Sequence, residues 1–332
     1  MSEVSSGRTL PSSATLSELI EAWLSNVGES LSPSTLHGYQ RVVANYVGPS
    51  IGKVRIAVLT AAHLDRMYQA MLKKGLAPAT IRQAHAVASS ALNQGVKWGW
   101  LGDNVALKAT PPPVRRKPLK PPSPDDVIRL IEAAKASRFP ELGTFIHLAA
   151  VTGARRGELV AVRWYNVDLV LGELLIEHSM LQQGSTVREK DTKTHQARRI
   201  ALDAGTVDLL AVHRERMEQR IAGCGVAITD DAFVFSDEPD CCQSWKPDRI
   251  TLAFRRFCVQ EDITGVRFHD LRHFAATRLL SGGVDVRTVS GRLGHSNAAT
   301  TLGVYSHFLE SADRAAADLL GGLMNRPSVA PK

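Results

Sequence analysis

The sequence predicts a mainly α-helical protein that carries a small antiparallel β-sheet in the second of two domains. Three observations support this. Apolar residues recur at helical spacing between Thr15 and Asn104, and again from Ser123 towards Val162. Six prolines fall between Thr110 and Pro122, which excludes a packed helix or a central strand there and marks a linker. Strand-like runs over 169–180 and 198–202 follow, with helical stretches on both sides. A chain of 332 residues has the length for two domains, and with 44% hydrophobic residues it can build a core in each.

Residues 1–13 are rich in Ser, with Gly and Pro, and read as a flexible tail. Residues 14–108 read as a helical domain of four short helices. Thr15 and Ser17 precede Leu19, Ile20, Trp23 and Leu24 at helical spacing. Ser32-Pro33-Ser34-Thr35 puts a capping hydroxyl before a first-turn proline. Thr60 or Ala61 opens a third helix, with Leu64, Met67, Tyr68 and Met71 on one face and Gly75 as its stop. Pro78-Ala79-Thr80 opens a fourth, whose apolar run ends near Trp98-Gly99-Trp100. The linker, 109–123, bears Arg115, Arg116, Lys117 and Lys120 without an acidic neighbour. A plain tether has no need of that charge, whereas a segment lying along DNA does.

The second domain, 124–332, begins with a good helix start: Ser123 as cap, with Asp125 and Asp126 in the first turn. Helical periodicity extends over 142–162 and then gives way to the two strand-like runs. A helix over 206–221, a short apolar strand Phe233-Val234-Phe235, and helices over 246–259 and 269–280 complete the pattern, with the sheet inserted after the second or third helix. An Ala-rich stretch over 310–320 reads as a C-terminal helix ended by Gly321-Gly322, too short to be stable without a surface to dock on.

Forty Lys and Arg against 33 Asp and Glu leave a net charge of +7, which points to a polyanionic partner, nucleic acid by default. The four cysteines, Cys224, Cys241, Cys242 and Cys258, lack the paired spacing of a zinc site and read as free thiols of a reducing compartment. The first ten residues are polar, without the apolar segment of a signal peptide, and no apolar run is long enough to cross a bilayer. A cytoplasmic protein with no membrane partner is expected.

Five motifs of the second domain form a set. Thr152-Gly153-Ala154-Arg155 puts an arginine after a glycine turn at the head of an apolar helix, where it can face an anion beside free backbone N–H groups. Asp191-Thr192-Lys193-Thr194-His195 is a polar, basic hairpin whose lysine can reach a groove or give up a proton. In His269-Asp270-Leu271-Arg272, the i and i+3 positions share a helix face, so an imidazole and a guanidinium project together while Leu271 turns to the core. Leu293-Gly294-His295 and Tyr305 complete the set. Each has an ordinary explanation by itself: a surface salt bridge for Arg155, a solvated turn for Lys193 and His295, a helix start for His269 and Arg272, a packed or surface tyrosine for Tyr305.

In this order and spacing, the set resembles the tyrosine recombinase, or phage integrase, family: T-G-x-R, a hairpin Lys, H-x-x-R, L-G-H, and a Tyr about ten residues on. The resemblance covers the chain from about residue 15. It implies two domains that clamp DNA, the first a SAM-like core-binding domain and the second the catalytic domain. It implies Tyr305 as nucleophile, a 3′-phosphotyrosyl intermediate with a free 5′-hydroxyl, and strand exchange through a Holliday junction. Arg155, Arg272, His269 and His295 would stabilise the charge on the phosphate, Lys193 would protonate the leaving oxygen, and His269 would take the tyrosine proton. Glu158, one turn after Arg155, would hold that arginine or His269. The resemblance implies no metal and no ATP, and the partners it implies are double-stranded recombination sites, a homotetramer joined through the C-terminal tail, and host DNA-bending and directionality factors.

Arg156 stands beside Arg155, but the T-G-x-R spacing selects Arg155. Lys190 competes with Lys193, which is preferred because Lys-Thr followed by Arg198-Arg199-Ile200 resembles the hairpin of phage-type integrases. The same hairpin favours an integrase of a phage or other mobile element over a chromosome-dimer-resolving recombinase. The separate helical domain and the tail favour recombination over type IB topoisomerase activity. A DNA-binding regulator without catalysis would not need a tyrosine at a fixed spacing. About 14 residues before the first helix are too few for a folded arm-binding domain, so either this is a simpler integrase or that domain lies outside this chain.

Overall fold

The computed structural model describes residues 13–114, 121–191, 197–223, 225, 227–294, 317–318, 320–321 and 324. The chain divides into two compact units, Met1–Lys117 and Pro118–Lys332. It is mainly helical with small antiparallel sheets confined to the second unit. None of the helices among the described residues is long and apolar enough to cross a membrane. Of the expected tail, 1–13, and linker, 109–123, residues 1–12 and 115–120 lie outside the described residues.

The first unit is built on α1 (Leu16–Val27), α2 (Pro33–Val42), α3 (Ala61–Lys73) and α4 (Pro78–Lys97). Thr15 caps α1 in a reciprocal box, its hydroxyl accepting from the Glu18 N–H while Glu18 accepts from the Thr15 N–H at 2.6 Å. Leu16, Leu19, Ile20 and Trp23 of α1 meet Leu64, Met67, Tyr68 and Met71 of α3 and Ile81, Val87 and Leu92 of α4 in one buried core. A methyl at Gly95 would lie 3.0 Å from Leu19 Cδ2, so the glycine lets α1 approach α4. Beyond the four expected helices, α2 runs on as a π-helical segment, Val43–Gly52, that contains Pro49. Pro49 has no N–H to donate, and the wider register carries the chain past it.

The second unit begins with α5 (Pro124–Lys135), capped by Ser123 and Asp126. The next helix, α6 (Glu141–Thr152), is the hub of the core: Phe145 is fully buried against Phe235, Trp245 and Phe268. The helical run expected over 142–162 is broken at Gly153, which takes a left-handed conformation (φ 63°), and resumes as the short α7 (Arg156–Val160). Sequence periodicity misses the break because apolar residues continue on both sides of it.

Two small sheets replace the single one expected. β1 (Val167–Asp168), β2 (Glu173–Ile176) and β5 (Arg198–Ala201) form one, and β3 (His178–Gln183) and β4 (Thr186–Asp191) the other. The run expected as one strand over 169–180 is turned at Gly172 (φ 64°) and changes partner at Glu177. Ile176 is the last β2 residue opposite β5, and His178 is opposite Asp191 of β4. Asp191, the last residue of β4, and Arg198, the first of β5, therefore both stand where the two sheets meet. Phe233-Val234-Phe235, expected as a strand, forms only an isolated bridge from Phe233 to Arg163, with Val234 N–H donating to the Val162 carbonyl. The opposing chain turns away into a 3₁₀ turn, Trp164–Asn166, and no ladder can extend.

Helices α8 (Ala204–Ala222), α9 (Pro247–Gln260), α10 (Asp270–Ser281) and α11 (Val286–Leu293) complete the unit. Of the C-terminal stretch, residues 317, 318, 320, 321 and 324 are described, and all are helical. The stop expected at Gly321 is not used there, since glycine weakens a helix without forbidding it.

Candidate active site

The site grows from the turn between α6 and α7. Gly153 ends α6 with a positive φ that favours glycine, and a methyl there would also collide with Leu293 of α11. Arg155 is the N-cap residue of α7, and Glu158 sits in the first turn. The Glu158 carboxylate is 3% exposed and uses both oxygens. Oε1 accepts from Arg155 Nη1 at 2.7 Å, while Oε2 accepts from the Arg155 N–H at 2.8 Å and from Arg198 Nη2 at 2.6 Å. Burial alone would push the Glu158 carboxyl up. The hydrogen bond and charge of Arg198, with those of Arg155, outweigh it and hold the group below the usual carboxylate range.

Two further elements converge on this turn. Arg272 of α10 is buried and donates from Nη1 to the Gly153 carbonyl at 2.7 Å. Leu271 beside it is fully buried, as the helical spacing predicts, but Arg272 lies deeper than a surface phosphate ligand would. From α11, Gly294 (φ 70°) offers its carbonyl to Arg155 Nη2 at 3.2 Å, and the Arg292 carbonyl accepts from Arg198 Nε at 2.9 Å. The Arg292 side chain reaches back to the Val151 carbonyl at 3.0 Å. Guanidinium groups thus tie α6, α7, α10, β5 and the end of α11 together.

His269 stands at the N-cap position of α10 without a side-chain capping bond and is exposed, with its ring centroid 5.1 Å from that of His273. Desolvation on its protein side, then the neighbouring His273 and Arg272, and more weakly Arg155, lower its pKa to about 4. His273 is lowered as well, chiefly by desolvation. Both imidazoles are therefore neutral near pH 7, and each has a nitrogen lone pair to accept a proton.

The structure brings together Arg155, Glu158, His269 and Arg272. Lys193, His295 and Tyr305 lie outside the described residues. Arg155 and Arg156 diverge: Arg156 turns to α9, where it meets Thr251 Oγ1 and lies 3.5 Å from Asp248. Lys190 lies on β4 opposite Ser179. Arg198, which in the sequence served only to mark the hairpin, joins the site as well. Strand alternation sends Arg198 inward, 11% exposed at its side chain, and leaves Arg199 64% exposed beside Glu173. The signal for it in the sequence is its position directly after the lysine-bearing segment, which by itself does not separate Arg198 from Arg199.

Buried cations around a turn, one of them with a partly open guanidinium and a neutral imidazole nearby, make a device for binding and stabilising a multiply charged oxyanion. A phosphodiester is such an oxyanion, and comparison with known proteins gives the class of enzyme. A model of the phage integrase family matches residues 123–311, and a model of the phage integrase N-terminal SAM-like domain matches residues 15–72. A XerC-like tyrosine recombinase of Caldanaerobacter subterraneus is 25% identical over 331 residues, covering 93% of this chain and 83% of its own. The ICEBs1 integrase of Bacillus subtilis is 24% identical, covering 92% and 82%. In fold, the chain is similar to the Tn1549 transposon integrase in complex with transposon right-end DNA (TM-score 0.79, 17% identity, covering 93% of this chain and 100% of that one). It is also similar to a lambda integrase tetramer bound to a Holliday junction (TM-score 0.67, 17% identity, covering 88% and 78%).

The chain belongs to the phage integrase family. It is a site-specific tyrosine recombinase, an enzyme that cuts DNA and rejoins it.

Proposed function

We propose that this recombinase is the integrase of a phage or other mobile element, acting on double-stranded DNA sites through a 3′-phosphotyrosyl intermediate on Tyr305. The observation that carries this reading is the anchoring of Arg155 and Arg272 at one turn, Arg155 by Glu158 and Arg272 by the Gly153 carbonyl. In this reading the Tyr305 oxygen attacks phosphorus, and the 5′-oxygen leaves with a proton from Lys193. Neutral His269 accepts the tyrosine proton, and Arg155, Arg272 and His295 stabilise the charge gathering on the non-bridging oxygens. Glu158 holds Arg155 in place, and no metal or ATP takes part. Rejoining reverses the step with the 5′-hydroxyl of a partner strand.

The mobile-element assignment is supported by the similarity to the ICEBs1 and Tn1549 integrases. In the division of labour proposed here, the helical unit binds the core site, the basic linker lies along the DNA, and the second unit carries the chemistry. The C-terminal tail docks on a neighbouring subunit of a tetramer. Supporting this, Leu320 and Met324 are apolar and 62% and 85% exposed on helical residues. Action in the cytoplasm, with host DNA-bending and directionality factors, follows from the same reading.

The test uses a nicked suicide substrate carrying the core site read from the junctions of the element. The wild-type chain should form a covalent adduct that survives denaturant, and Tyr305→Phe should bind the same DNA and form none. Adduct formation by the Tyr305→Phe chain would remove Tyr305 from its role, and the absence of any wild-type adduct would favour a DNA-binding regulator.

A further inference from the structure

We infer that Arg198 is a positioning residue for DNA cleavage, which sets Arg155 through Glu158 and sets the chain at Gly294 by direct contact; the inference rests on the recombinase reading above. Arg198 opens β5, directly after residues 192–197, the segment that contains Lys193. Among the described residues its guanidinium makes two bonds in two directions. Nη2 donates to Glu158 Oε2 at 2.6 Å, and Nε donates to the Arg292 carbonyl at 2.9 Å. The first bond completes the carboxylate whose other oxygen grips Arg155. The second satisfies a carbonyl in the last turn of α11, where a helix leaves its acceptors without partners.

The backbone at Gly294 lies against the same guanidinium. A methyl on Gly294 would stand 2.7 Å from Arg198 Nη1 and 2.9 Å from Cζ, and the residue also has φ 70°. The glycine of the Leu293-Gly294-His295 motif is thus needed both for its conformation and to leave room for Arg198. Arg198 therefore touches or adjoins three segments that bear proposed site residues: the α7 turn with Arg155, the 192–197 segment with Lys193, and the end of α11, next to His295. Its side chain is 11% exposed and turned to Glu158, so it acts through these neighbours and does not present itself to a phosphate. Lysine keeps the charge at this position but cannot hold both acceptors in the fixed fork of a guanidinium. Methionine keeps most of the volume and neither bond.

The full chain with Arg198→Met and with Arg198→Lys is compared with wild type for affinity to the core-site duplex, single-turnover cleavage of the nicked substrate from pH 5 to 9, and thermal melting. Affinity should stay within about threefold, while cleavage by R198M falls ~100-fold and R198K recovers about tenfold of that. The acid limb of the R198M rate profile should move to higher pH, because Glu158 loses the partner that keeps it ionised. A merely structural role would lower affinity, melting and cleavage together and leave the acid limb in place, and that result overturns the inference, as does cleavage by R198M at the wild-type rate. If R198M does not fold, R198K decides by the same readouts: a wild-type rate with an unshifted acid limb sinks it. A wild-type chain that forms no adduct would instead sink the recombinase reading, so the two failures are distinguishable.

Discussion

Nη1 of Arg272 donates to the carbonyl oxygen of Gly153 across 119 residues of sequence, and this bond joins the H-x-x-R helix to the T-G-x-R turn. Because the acceptor belongs to the residue with φ 63°, anything that moves the turn moves the partner of Arg272. Gly153→Ala introduces both a disfavoured φ and a methyl against Leu293. It should cost about 1–3 kcal/mol of stability. Urea unfolding of the purified chain measures this, and an unchanged midpoint would show that the turn relaxes freely.

Glu158 is buried between Arg155 and Arg198. Glu158→Ala leaves a buried guanidinium without its counter-ion and should destabilise the second unit by about 3–5 kcal/mol. The pH dependence has a definite sign. The folded-state carboxyl lies below the ordinary value, so its contribution is complete above that value. It is lost as pH falls through the ordinary value and then through the folded one. Melting temperatures stepped down in pH should show this loss in wild type and a shallower one in Glu158→Gln. Parallel curves would mean that the carboxylate contributes nothing specific.

The adjacent arginines should behave differently. Arg155→Ala should slow single-turnover cleavage by at least ~100-fold, the scale expected when one donor to a developing oxyanion is removed. Arg156 pairs with Thr251 and Asp248 on α9. Arg156→Ala should leave the rate within about threefold, as for an ordinary half-exposed ion pair. Equal losses would dissolve the distinction that the T-G-x-R spacing makes.

Lys193 and Lys190 can be separated chemically. Replacing the 5′-bridging oxygen of the scissile phosphate by sulfur gives a leaving group that departs without a proton, since a thiol is far more acidic than an alcohol. Lys193→Ala should cleave the oxygen substrate slowly and recover at least ~10-fold on the sulfur substrate, whereas Lys190→Ala should need no rescue. Rescue of Lys190→Ala instead would reassign the proton donor to β4.

The parts of the fold that were legible in the sequence are those that local physics dictates. Thr15, Ser32 and Ser123 cap the helices they were expected to open, and the apolar stripes of α1, α3 and α4 are buried as their period requires. What was not legible depends on distant partners. Leu174, Ile176 and Met180 keep one alternation through the change from the first sheet to the second, so nothing local marks where the chain, passing from β2 to β3, exchanges β5 for β4. The π-helical segment Val43–Gly52, which carries the chain through Pro49 with Val47 and Ile51 in the core, is likewise a product of packing.

The sequence by itself determined the class of this protein, because its chemistry needs particular residue types in a particular chain order, and order survives in one dimension. Arg155, His269 and Arg272 could be picked out as candidates in that way, as could Lys193, His295 and Tyr305, which lie outside the described residues. Only the tertiary structure decided how the described members are held. Glu158 grips Arg155 and Arg198, Arg272 binds the Gly153 carbonyl, and the α11 terminus closes on two guanidiniums. Buried charges need counter-ions and acceptors within hydrogen-bond reach, and those partners come from segments far apart in the chain, which only folding brings together.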